Sequence, residues 1–236
     1  MKKSLLVLAV VAAFAPMLAQ AEAGDIVVRV RATNVSPSES SNLGAQTNAA
    51  ALGATSAQLY GDSNAKLQVD SNTIPELDIS YYFTKNIAAE LILALGTRHD
   101  VNVSSAGLVG KALGSVNLLP PTLTAQWHFM PDQTFDPYVG AGVAYVRAMD
   151  NGLTAQVGAL ALPIRIERNN FGGVLQAGFD VNLKDKWLVN FDVKKVFVST
   201  DVMLDGTAAR LKAGFQKIDS LDLDPWIVSV GFGKKF

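Results

Sequence analysis

Cysteine is absent from this 236-residue chain, which removes disulfide frameworks, thiolate nucleophiles and thiolate metal sites together. Histidine is nearly absent, with His99 and His128 alone. No G-x-S-x-G elbow accompanies either, so a Ser–His–Asp arrangement has no support. The pairs Gly140-Ala141-Gly142 and Gly231-Phe232-Gly233 lack the third glycine or lysine, and the following helix, of a phosphate loop. A basic excess is missing too. Twenty lysines and arginines stand against 21 acidic residues, which argues against nucleic acid as a partner. Past the N-terminal segment no apolar run reaches the roughly 20 residues of a spanning helix, although 49% of the chain is hydrophobic. The residue content points to no enzyme class, cofactor or metal.

What is present begins at the N-terminus. Lys2 and Lys3 precede an apolar stretch from Leu5 to Ala15, Pro16 interrupts it, and Ala19-Gln20-Ala21 supplies a small-residue cleavage site. Residues 1–21 are therefore expected to be a cleaved secretory signal, leaving 22–236 as one mildly acidic domain.

That domain reads as strands. Segments of about ten residues alternate with period two and are separated by turn chemistry. From Asp25 to Asn34, Val28, Val30 and Ala32 oppose Arg29, Arg31 and Thr33. A second strand runs from about Leu67 to Phe83, with Leu77, Ile79, Tyr81 and Phe83 opposite Glu76, Asp78, Ser80 and Tyr82. Ile87 to Thr97 carries Leu91, Leu93 and Leu95 outward and Glu90 inward. Thr122 to Phe129 sets Leu123, Ala125, Trp127 and Phe129 against Thr124, Gln126 and His128. A fifth places Val139, Ala141, Val143 and Tyr145 outward. Phe171 to Asn182 and Trp187 to Lys194 form the sixth and seventh, with Gln176, Asp180, Asn190, Asp192 and Lys194 inward. The eighth, Trp226 to Phe236, alternates to its end.

Connections two–three, four–five and six–seven are short; the others are long. With both ends on the short-turn side, this predicts an all-β, eight-stranded antiparallel transmembrane barrel with short periplasmic turns and long extracellular loops. Tyr81, Phe83, Trp127, Phe129, Tyr138, Phe179, Trp187, Trp226 and Phe236 are expected to form an aromatic girdle at the short-turn end. Phe232 and Phe236 read as the closure and assembly signal, since the last strand must pair with the first to abolish the edge. Ser36 to Gly61 reads as a solvated, mobile loop. Leu108–Pro121 and Leu153–Ile166 are more apolar, and Asp205-Gly206 reads as a hairpin turn. Inward charge (Arg29, Arg31, Glu76, Asp78, Glu90, Asp180, Asp192 and Lys194) must be paired. A barrel of this size is filled by its own side chains, so a wide aqueous pore is not expected.

The chain resembles the OmpW family of small outer-membrane barrels, which includes alkane-uptake porins. The resemblance covers essentially the whole of 22–236. It rests on Gly24-Asp25-Ile26-Val27-Val28-Arg29-Val30-Arg31 leading to Val35-Ser36-Pro37, on Leu119-Pro120-Pro121 through Phe129, and on Asp136-Pro137-Tyr138-Val139-Gly140-Ala141-Gly142-Val143. Trp187, Asp192-Val193-Lys194-Lys195 and the stretch Asp224-Pro225-Trp226 to Phe236 complete it. Lys234 departs from the pattern, standing where such barrels often carry an apolar residue.

The resemblance implies the outer membrane of a Gram-negative bacterium. It also implies passive uptake of small hydrophobic solutes through an apolar extracellular pocket, with release sideways into lipid. Leu118, Leu119, Leu160 and Leu162 are the expected pocket wall. Pro120 and Pro121, which lack the amide a neighbouring strand needs, are the expected lateral opening. The expected partners are outer-membrane lipid, the solutes and the barrel-assembly machinery, with the protein acting as a monomer. A plugged structural or receptor-type barrel, whose loops bind envelope partners, phage or bacteriocins, is the alternative.

Overall fold

The computed structural model describes residues 22–94, 97–150, 152–157, 159–207 and 211–236. The expected signal segment 1–21, Leu95, and residues 208–210 of the last long connection lie outside the described residues. No helix among those described is long and apolar enough to cross a membrane.

Eight strands close a barrel: β1 (Ile26–Ser36), β3 (Asn72–Tyr82), β4 (Ile87–Ala94), β7 (Thr122–His128), β8 (Phe135–Asp150), β11 (Asn169–Asn182), β12 (Trp187–Phe197) and β15 (Trp226–Lys235). Their order is β11-β12-β15-β1-β3-β4-β7-β8, and the β8–β11 pairing joins the ends. Every pair is antiparallel, as the period-two pattern predicts. First and last strands pair from Val27↔Lys235 to Ser36↔Trp226. Phe236 extends this by donating its amide to the Ile26 carbonyl at 2.8 Å. Lys234 does not stand isolated outside: its ammonium lies over the Trp187 ring at 5.1 Å and the Phe236 ring at 5.9 Å.

The outward residues are apolar and exposed to lipid, while the inward ones are buried, with the charged and polar side chains gathered between apolar ones. Two members of the expected girdle belong elsewhere. Tyr138 is 1% exposed and points into the lumen, as the inward parity of even positions on β8 requires. Trp226 begins β15 and pairs with Ser36 and Lys195, which places it at the long-loop end.

Narrowness explains several inward glycines. A Cβ on Gly142 would run into the backbone of Leu123 and Thr124 on the next strand. One on Gly178 would lie 2.6 Å from the Tyr138 hydroxyl.

The long connections build a second layer above the barrel. β5 (Thr97–Val103) pairs with β6 (Ala112–Leu119) and with β2 (Leu67–Val69). β6 rejoins the upper half of β8 at Asn117–Leu119. β9 (Leu153–Val157), β10 (Leu160–Ile166), β13 (Ser199–Asp205) and β14 (Phe215–Asp222) make a separate four-stranded sheet. The expected second strand is thus split, with β2 leaving the barrel wall for this layer, while the third ends at Ala94 and β5, starting at its expected last residue Thr97, belongs to the layer.

Ser36–Gly61 is not a solvated loop. It forms two short helices, Leu43–Ala49 and Ser56–Tyr60, the second capped reciprocally by Thr55 and Gln58. Leu43, Leu52, Leu59 and Tyr60 enter a core with Val103, Leu162 and Val202. Burial raises the Tyr60 hydroxyl pKa there. Ser41, bonded to the buried Asp219 carboxylate, pins the segment down. These four apolar residues lack a strand or helix period, so composition misled; tertiary burial outweighs a Ser- and Asn-rich context. β13 and β14 pair as a hairpin after Asp205-Gly206, closing at Asp205↔Phe215.

Candidate functional site

Each inward charge is carried by a strand whose parity gives it no route to water, so it must find a partner across the lumen. Arg29 on β1 donates to Ser80 at 2.6 Å and to Asp180 on β11 at 2.6 Å. Arg31 reaches Glu90 on β4 at 2.7 Å and Glu76 on β3 at 3.2 Å. Lys194 on β12 bonds Glu76 from the opposite wall at 3.1 Å. Gln176 bridges Glu90 and Asp192, each at 2.7 Å, while Tyr138 donates to Asp192 at 2.7 Å. Arg29–Asp180, Arg31–Glu90, Lys194–Glu76, Gln176–Glu90 and Tyr138–Asp192 join strands that are not neighbours in the barrel, so the network ties the lumen shut across its width. The expectation of paired interior charge is met in this arrangement.

Below it, His128 and Asp136 meet at 2.7 Å. His128, Asp136 and Asp180 place ligand-type atoms within 4.8 Å of one another. Those atoms are already committed, His128 to Asp136 and Asp180 to Arg29. His99 lies far away at the upper end, as the strand assignment implies.

Above the network the lumen changes character. Inward positions that carried charge now carry Ile74, Ile92, Ala144, Val146 and Val196, and they enclose an apolar cavity of about 80 Å³. Pro37, Leu223 and Pro225 contribute from the loops. Leu118 lines this cavity and also a smaller one of about 40 Å³ beneath the upper core, with Val69 and Leu223 common to both. Pro120 lines the main cavity. Leu119, half-buried, pairs with Arg147 on β8. Leu162 is fully buried in the upper core, and Leu160 is 43% exposed on its hairpin. Neither borders the cavity, so of the four leucines the fold brings only Leu118 to it. The inward valines and isoleucines were overlooked as wall residues, although alternation alone places them inside.

The ladder beside this cavity is interrupted. β4 pairs with β7 up to Ile92↔Thr122, and the next pair among the described residues is Thr97↔Leu118 of β5 and β6. Among the described residues, Leu93 and Ala94 on one side and Pro120 and Pro121 on the other have no cross-strand partner in this ladder. On its far side Pro121 accepts from the Tyr145 amide at 2.9 Å. The break is therefore confined to the β4–β7 side.

A closed antiparallel barrel with an apolar, aromatic-bordered exterior and a charge-paired interior defines an outer-membrane β-barrel protein. The chain belongs to the OmpW family, whose family model matches residues 22–236. It is 32% identical over 245 aligned residues to outer membrane protein W of Vibrio cholerae, covering 100% of each chain. It is 43% identical over 163 residues to outer-membrane protein y4mB of Sinorhizobium fredii, a match spanning 69% of this chain and 66% of that protein, just under two thirds. The solved structure of OprG from Pseudomonas aeruginosa is similar at a TM-score of 0.77 and 29% identity, covering 92% of this chain and 98% of that one. This is a protein of the outer membrane of Gram-negative bacteria.

Proposed function

We propose that the protein passively admits small hydrophobic molecules, which enter the apolar cavity from outside and leave sideways into the membrane past Pro120 and Pro121. The observation that carries this reading is the coincidence of the cavity with the ladder interruption. The cavity sits above a closed lumen, so a solute held there has the broken β4–β7 seam as its neighbouring exit. The physics favours entry, because a hydrophobic solute gains roughly 25 cal/mol for each Å² of apolar surface withdrawn from water. Leu118 and Pro120 are the wall residues this reading relies on; Pro121 completes the seam. Exposed Phe232 and Phe236 remain available to the barrel-assembly machinery.

The ordered upper layer favours the second reading, a receptor-type barrel whose outer surface binds an envelope partner, phage or bacteriocin. Uptake of a short alkane-like solute by whole cells decides between them. Wild-type protein raises uptake well above a deletion strain, and Leu118→Arg removes the increase. Equal uptake by Leu118→Arg and wild type overturns the channel reading.

A further inference from the structure

The apolar cavity is not apolar throughout. Two of its lining residues carry charge, Glu76 and Lys194, and they meet at 3.1 Å where the cavity rests on the lumen network. The bonding of this pair is incomplete. Glu76 Oε1 accepts from both Arg31 and Lys194, and Oε2 makes neither bond. The Lys194 ammonium, with three donors, has Glu76 as one partner and Asp192 at 2.9 Å as another. Among the described residues this leaves one carboxylate oxygen and one ammonium N–H of the floor without a hydrogen-bond partner.

We propose that the cavity selects amphiphiles ending in a hydroxyl group over plain hydrocarbons and over carboxylates. This inference rests on the uptake reading above and narrows its substrate class. A hydroxyl is both donor and acceptor, so one oxygen can donate to Glu76 and accept from Lys194 while its alkyl chain lies against Ile92, Ala144 and Val196. A hydrocarbon fills the same walls and leaves the floor groups dry and unanswered, which is costly in an apolar surrounding. A carboxylate meets Glu76 as a like charge. It also meets a network holding five carboxylates (Glu76, Asp78, Glu90, Asp180, Asp192) against three cations (Arg29, Arg31, Lys194), all buried. The cavity volume of about 80 Å³ is several times what one ordered water needs, roughly 10–15 Å³, and suits a slim chain.

The test titrates the full protein in lipid nanodiscs with 1-octanol, n-octane and octanoate, following the backbone amide resonances of Thr97, Leu118, Thr122 and Ala144. The expected result is saturable shifts with octanol at least about tenfold tighter than octane, the size of one charge-assisted hydrogen bond, and octanoate weakest. In Glu76→Met/Lys194→Met, which replaces the pair by apolar groups of similar volume, octanol and octane bind alike. Equal affinities in the wild type overturn the inference while leaving the hydrophobic pocket standing. So does an octanol preference that persists in the folded double variant. Absence of saturable shifts with any of the three removes the pocket reading itself. If the double variant does not fold, the wild-type ranking of the three solutes decides.

Discussion

Arg29 and Asp180 meet at 2.6 Å across the lumen, one on β1 and the other on β11, strands separated by β12 and β15 in the barrel order. Both side chains are buried, and Asn190 holds the other oxygen of Asp180 at 2.7 Å. Asp180→Leu leaves the Arg29 charge in place and takes away the shorter of its two ion pairs. Breaking a buried pair from one side costs about 3–5 kcal/mol. Urea titration of the heat-modifiable folded band is expected to show a loss of this size, and an unchanged midpoint contradicts a structural role for the pair.

Leucine substitutions separate the cavity from its surroundings. Leu118 lines it and Leu160 does not. Leu118→Arg is expected to abolish solute uptake, while Leu160→Arg, exposed on its hairpin, stays near wild type. Equal loss in both variants places the entry route on the hairpin surface instead.

The upper layer stands on its own core. Leu162 is fully buried there among Leu43, Leu59 and Val202. Leu162→Ala is expected to cost about 2–5 kcal/mol, through lost burial and the cavity left behind. Amide exchange should accelerate in β9, β10, β13 and β14 and remain slow in the barrel ladder. Faster exchange in β1 and β15 as well means the two layers unfold together.

Gly178 faces Tyr138, whose hydroxyl donates to Asp192. Gly178→Val drives its Cβ against both that ring and the Phe191 backbone carbonyl on β12, 2.5 Å away, and overpacking of this kind costs about 1–3 kcal/mol. Tyr138→Phe in the same background should recover little, because the ring carbon Cζ also lies 2.6 Å from the added Cβ. Recovery to wild-type stability means that the hydroxyl alone is the obstacle.

Asp201 and Lys217 pair at 2.7 Å between β13 and β14, outside the membrane. The hydrogen bond from Lys217, with a second from Ser220, holds the Asp201 carboxyl below its ordinary pKa. A depressed carboxyl stabilises the fold above the unfolded value of about 3.9 and loses that contribution as pH falls through the folded value. Both side chains are partly exposed, so the effect is at most about 1 kcal/mol. Amide protection in this hairpin, measured against the intrinsic exchange rate at each pH, should fall below about pH 4, and Asp201→Asn should remove that fall. A pH profile unchanged by the substitution assigns the transition to another group.

The barrel was legible because a strand alternates its side chains and lipid tolerates no unpaired edge. Even where the girdle assignment was wrong, parity had the information. Tyr138 shares its parity with Gly140 and Gly142, and Trp226 follows a long connection rather than a short turn. The upper layer was not legible. Leu43, Leu52, Leu59 and Tyr60 sit in a polar stretch without period, and their burial depends on β9, β10, β13 and β14 assembling above them.

By itself the sequence determined which residues face lipid, which face the lumen, and that eight strands alternate short and long connections, since these follow from a two-residue repeat and local turn chemistry. Only the tertiary structure decided which charges meet, because Arg29 and Asp180 are 151 positions apart and no periodicity relates them. It likewise decided that Leu118, unlike Leu160 and Leu162, borders the cavity: the paths of β5 and β6 away from the wall, and the broken pairing at Pro120 and Pro121, set where apolar surface is left uncovered.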